Sequence, residues 1–195
     1  MTIHELRIKI DLYPENRIDI LEDAARKCNE GYLFVDSLNG HCYLFDRNGN
    51  EDDIKKLKKI DNTTFYGCES LTSIVIPDSV KSIGNRAFAL CRSLISIVIP
   101  NSVESIGNDA FWGCENLKSI EIPDSVKSIG NKAFVCCKNL KLIVIPDSVK
   151  SIGNDAFWGC ENLKSLIFKG KTIDQVEAME NYPFGIEDEW IIRCI

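Results

Sequence analysis

Five cysteines stand 23 residues apart, at Cys68, Cys91, Cys114, Cys137 and Cys160, in a chain of 195 residues with nine cysteines in all. Thiols at a fixed spacing have two chemistries open to them, cross-linking and metal ligation. Equivalent atoms on stacked turns of chain lie ~5 Å apart, which puts their Cα atoms inside the disulfide window. Parallel Cα–Cβ vectors keep the Cβ atoms ~5 Å apart as well, wider than a bridge prefers. A buried free thiol behaves as a small apolar group. The column is therefore expected to be a reduced core ladder, with Cys136 as an extra thiol at its edge.

Other groupings fall short of a site. Cys28, His41 and Cys42 could supply three zinc ligands, but no Cys-x-x-Cys pair or second nearby histidine completes the set. The loop from Asp46 begins like a calcium loop, yet its sixth and twelfth positions are Glu51 and Leu57, where that loop needs Gly and Glu. No phosphate-binding glycine loop, nucleophile elbow or paired carboxylates stand out. Asp78, Asp124 and Asp147, with Asn101 in the same place, read as turn residues. No catalytic residue, metal or cofactor is expected, and the chain reads as non-enzymatic.

The elements that carry the cysteines repeat with them. Leu71, Leu94, Leu117, Leu140 and Leu163 are also 23 residues apart. The first full unit, LTSIVIPDSVKSIGNRAFALCRS, sets Leu71, Ile74 and Ile76 at a spacing that turns three aliphatic groups inward from a short strand. Pro77 ends that strand, having no N–H to donate. Asp78 and Ser79 suit a turn, and Val80 and Ile83 return to the core. Gly84 and Asn85 suit a bend requiring positive φ. The segment RAFALC is expected to form one short helical or 3-10 turn with Phe88 and Cys91 inward. One unit cannot bury its apolar face alone, so stacked units are expected, with a parallel sheet along one side and a ladder of Phe65, Phe88, Phe111, Phe134 and Phe157.

The repeat I-x-I-P-x-S-V-x-S-I-G-x-x-A-F-x-x-C closely resembles the BspA-like leucine-rich repeats, also called the Treponema pallidum type, over about 115 residues. The resemblance implies an α/β solenoid with its parallel sheet on the concave side and short turns opposite. It also implies a role in protein binding or adhesion.

Three regions are expected: an acidic α+β capping module over 1–54, the repeats over 55–169, and a C-terminal cap over 170–195. In the first, LRIKIDL alternates like a strand, Ile18, Leu21, Ala24, Ala25 and Cys28 have helical spacing, and GYLFVDS and HCYLFD flank Asn39-Gly40 as a hairpin. In the last, Thr172 to Gln175 reads as a capping box opening a helix with Ile173, Val176 and Met179 on one side, and EWIIRCI reads as a closing strand.

Two rows are candidate protein-binding residues. The intervening strand positions Ser73, Val75, Ser96, Val98, Ser119, Glu121, Leu142, Val144, Ser165 and Ile167 should face solvent as small hydroxyls beside a mostly apolar stripe. The position after each ladder phenylalanine is variable, and its Trp112 and Trp158 are candidate aromatic anchors.

Net charge is −6, spread as −6 over 1–53, +4 over 54–169 and −4 over 170–195, which argues against a nucleic-acid partner because no concentrated basic face exists. No run is long and apolar enough for a membrane helix, and charges interrupt the N-terminal MTIHELRIKIDLYPEN, so a cytoplasmic protein is expected. The reading is a protein-binding module, a monomer or weakly self-associating. The alternatives are a phage- or parasite-type inhibitor of a host enzyme, and a surface adhesin.

Overall fold

A computed structural model describes residues 59–195, apart from 61, 70, 77 and the Val75 side chain, together with the backbone of strands β1 (Gly31–Asp36) and β2 (His41–Asp46). The two strands pair antiparallel, as the hairpin reading required. The strand expected at LRIKIDL, the helix carrying Cys28, the Asn39-Gly40 turn, the loop after Asp46 and Pro77 lie outside the described residues.

From residue 59 the chain winds into a solenoid with two parallel sheets. Five two-residue strands make one: β3 (Lys59–Ile60), β5 (Ser82–Ile83), β7 (Ser105–Ile106), β9 (Ser128–Ile129) and β11 (Ser151–Ile152). The other is longer and six-stranded: β4 (Ser73–Val75), β6 (Ser96–Val98), β8 (Ser119–Glu121), β10 (Leu142–Ile145), β12 (Ser165–Phe168) and β13 (Ile192–Cys194). Within the repeats the register is one full unit: Ser73 pairs Ser96, Ser96 pairs Ser119, and Ile120 pairs Ile143. A shift of one residue would turn every inward aliphatic outward, so the alternation fixes the pairing.

The core is the set of columns the period predicts. Leu71, Ile74, Ile76, Val80 and Ile83 are buried, as are their equivalents in the following coils. The five phenylalanines stack nearly parallel, with centroid separations of 4.9, 5.4, 5.3 and 5.6 Å. Opposite the long sheet lie turns with 3-10-type bonds, such as Ala89 N–H to Arg86 C=O at 3.2 Å, but no helix forms there. Each turn holds two left-handed residues four apart, Arg86 and Leu90 in one coil and Asp109 and Gly113 in the next. That alternation swings every second N–H along the solenoid: Arg86, Phe88 and Leu90 donate to Asn108, Ala110 and Trp112 of the following coil.

Two local expectations are corrected. Positive φ falls on Arg86 and its equivalents, not on the Gly84-Asn85 pair before it. Glycine is needed at that glycine position for proximity: a Cβ on Gly107 would sit 2.6 Å from the backbone carbon of Gly84, and one on Gly153 2.2 Å from Asn131 N. The asparagine is a hydrogen-bond ladder, each Oδ1 accepting from the N–H of its counterpart one coil on: Asn62 from Asn85, Asn85 from Asn108, Asn108 from Asn131 and Asn131 from Asn154, at 2.7–2.8 Å.

The C-terminal segment closes the stack. Helix α1 (Ile173–Glu177) opens on the expected capping box of Thr172 and Gln175. Val176 is buried and Met179 partly so, but Ile173, at the first position of the helix, faces solvent. β13 is the expected closing strand, parallel to β12. Phe184 occupies the place after the ladder, accepting from Phe157 N–H and packing on Phe168. Lys171 ties this segment to the repeats through Asp147 Oδ1 at 2.7 Å.

Candidate functional site

Strand pleating sorts the first row of candidate residues. Inward Ile97, Ile120 and Ile143 are buried, while Ser96, Val98, Ser119, Glu121 and Leu142 beside them are exposed. Val144, Ser165, Ile167 and Ser73 are half-buried, and Val75 closes its strand with its side chain undescribed. Val98 is 63 % exposed and Leu142 44 %, next to one another but for the Glu121 strand between. Ser96, Val98, Ser119, Glu121, Leu142 and Val144 line an open groove of about 680 Å³ that runs across the long sheet and is bordered by Asn101, Asp124 and Lys169, while Ser73, Ser165 and Ile167 lie outside its lining.

The second row lies on the turn flank. Ala89 and Val135 are buried, Trp112 is half-buried, and Trp158 is 52 % exposed. Trp112 and Trp158 share a groove of about 500 Å³ with Val135, Arg86, Asp109, Lys132 and Asp155, which the sequence reading left out. Their signal was available: each acidic or basic residue stands three before the variable position.

The thiols are placed for stability. Cys68, Cys91, Cys114 and Cys137 are buried and Cys160 partly, and all are unbridged. Cys91, Cys114, Cys137 and Cys160 each donate Sγ–H to the carbonyl of the ladder phenylalanine one coil back, at 3.0–3.2 Å. Burial pushes the Cys114 and Cys160 thiols up to about 12 and Cys137 well above its ordinary value, so none is a nucleophile near neutrality. Cys136 is half-buried at the edge of this ladder. Of the set Cys28, His41 and Cys42, no side chain is described.

Surface charges are paired along the stack. Arg92 spans Glu69 and Glu115, and Lys138 also reaches Glu115, at 3.2–3.7 Å. Lys127 holds the Glu104 carboxyl below its usual range by hydrogen bond and charge, and Lys171 does the same for Asp147. Nothing in these pairs resembles an acid–base couple.

A model of the BspA type leucine rich repeat region matches residues 58–184 in six copies. The chain belongs to that family. Solved structures similar to this leucine-rich-repeat chain include the leucine rich repeat protein of T. pallidum, 28% identical, covering 70% of this chain and 68% of that one at a TM-score of 0.58. A leucine rich cell surface protein of Faecalibacterium prausnitzii is 29% identical, with a TM-score of 0.62. It covers 78% of this chain, which spans 41% of that protein's length. A leucine-rich repeat protein of Bacteroides ovatus is 28% identical over 72% of this chain and 48% of its own, at 0.51. No curated protein sequence matches. Repeat proteins of this fold are general protein-interaction or surface proteins.

Proposed function

We propose that this leucine-rich-repeat chain is a non-enzymatic binding module that receives a partner protein on the open face of its long sheet. The observation that carries the reading is the groove across β6, β8 and β10, where exposed Val98 and Leu142 stand among serine hydroxyls with the Glu121 carboxylate on the sheet and Asp124 and Lys169 at the border. Exposed aliphatic groups on a pleated, rigid surface favour a partner with complementary apolar side chains, and a polar rim fixes its register. The fitting partner presents aliphatic side chains with one basic group opposite Glu121.

The test is capture by the full chain, followed by titration calorimetry with the partner recovered. Wild type is compared with a variant carrying Val75→Lys, Val98→Lys and Val144→Lys, whose fold is checked by circular dichroism. Loss of binding in the folded variant supports the reading, and unchanged affinity overturns it. If the partner is an enzyme and loses activity at one-to-one stoichiometry, the module is an inhibitor.

A second reading, surface adhesion, is favoured by the F. prausnitzii relative, described as a cell surface protein. Fractionation of the source cells separates the two.

A further inference from the structure

The fifteen residues SIGNDAFWGCENLKS stand at 105–119 and again, unchanged, at 151–165, with SIGNKAFVCCKNLKL in the coil between. The solenoid thus presents one Asp–Trp pair twice, two coils apart. In both copies the aspartate is left-handed, with φ of 53° and 54°, and its carbonyl accepts from the tryptophan N–H at 3.0 and 3.1 Å. Two modules of one sequence and one backbone turn on a rigid stack suit a ligand that itself repeats, although Trp158 is the more exposed of the two tryptophans.

Three properties of the groove between them narrow its chemistry. Arg86 and Lys132 balance Asp109 and Asp155, so in a chain of net charge −6 this groove is neutral and suits an uncharged ligand. Tryptophan offers an aromatic platform, and the neighbouring carboxylates and ammonium offer hydrogen bonds, which suits a ligand with C–H faces and a polar rim. The spacing then selects. Ladder phenylalanines adjacent to the two tryptophans are separated by steps of 5.3 and 5.6 Å, so the platforms lie about 11 Å apart. A polyproline helix repeats every ~9 Å and would miss the second tryptophan by about 2 Å. An extended peptide returns to one face every ~7 Å and fits worse. An extended β-1,4-linked hexopyranose chain presents equivalent rings one disaccharide apart, which matches two coils.

We propose that the groove between Trp112 and Trp158 binds an uncharged β-1,4-linked glycan running along the solenoid. Each tryptophan stacks under a sugar ring, Val135 forms the floor, and Asp109, Lys132 and Asp155 bond the hydroxyls. The site lies on the turn flank, away from the long sheet, and stands or falls independently of the protein-binding reading.

The experiment is calorimetry of the full chain with cellohexaose and with the hexamer of β-1,4-linked N-acetylglucosamine. Cellobiose, maltohexaose and decaproline serve as comparison probes. The expected result is one hexasaccharide bound per chain, with Trp112→Ala and Trp158→Ala each weakening it roughly tenfold. Cellobiose, too short to touch both platforms, should bind at least tenfold more weakly, and Val98→Lys should change nothing. Asp155→Ala and Lys132→Ala read the same groove if a tryptophan variant loses its fold. The proposal is overturned if neither hexasaccharide binds, if maltohexaose binds equally well, if all four groove variants retain full affinity, or if decaproline proves the Trp112-dependent ligand.

Discussion

The Cys114 thiol donates to the carbonyl oxygen of Phe88, 26 residues earlier, at 3.1 Å. The same bond recurs in the next two coils, at Cys137 and Cys160. Each thiol therefore fills the core and satisfies a carbonyl of the coil before it. Site-resolved mass spectrometry after brief maleimide labelling at neutral pH should find Cys114 and Cys137 unmodified and Cys136 modified. Prompt labelling of Cys114 in the folded chain would contradict their placement.

The raised thiols also set an alkaline limit. Below about pH 9 these thiols are neutral folded or unfolded, and their burial is fully compatible with the fold. Between about 9 and 12 the unfolded chain releases protons that the folded one retains, so stability falls as pH rises, by about 1.4 kcal/mol per pH unit for each such thiol. Urea unfolding at pH 8, 9 and 10 should show the decline beginning between the last two. Cys114→Ala should make it shallower by one thiol's share, at the cost of a lower baseline.

Two glycine positions should respond in opposite directions. Gly153→Ala forces a Cβ to within 2.2 Å of Asn131 backbone, and should destabilise the chain by at least 1–3 kcal/mol. Cys136 is left-handed at φ 58°, where Gly67, Gly113 and Gly159 stand in other coils. Cys136→Gly removes that strain and should stabilise by about 0.5–1 kcal/mol. Thermal unfolding of both variants beside wild type measures the pair.

The ladders differ in what their loss costs. Phe111→Ala leaves a cavity between Phe88 and Phe134 and should destabilise by about 3–5 kcal/mol. Asn108→Ala removes the acceptor for Asn131 N–H at an exposed edge, where water substitutes, and should cost about 1 kcal/mol.

The solenoid was readable because a 23-residue period carries its own register: once Leu71 is aligned with Leu94, the phenylalanine and cysteine columns follow. What one unit does not reveal is how closely two units approach. Gly107 is read as a bend residue when viewed alone, and its role is legible only against Gly84 of the coil before. RAFALC has helical composition, but stacking rewards N–H groups that point at the next coil, and left-handed residues at Arg86 and Leu90 supply them. Ile173 has the spacing of a buried residue, yet it opens the five-residue α1 exposed, and only Val176 of that helix is buried. The outward face of Val98 and Leu142 follows from strand alternation alone. The groove partners of Trp112 need the repeat alignment as well, since Arg86, Lys132 and Asp155 come from three different coils and share only their place three residues before the variable position.

The protein-binding claim is tested most directly by photo-crosslinking from single positions. Benzoylphenylalanine replaces Val98, Glu121 or Leu142 on the long sheet, or Lys150 on the far side, in the full chain expressed in its source cells. One partner protein is expected in adducts from the three sheet positions and absent from Lys150. Adducts from Lys150 alone, or none from the sheet while the chain is folded, would contradict the account.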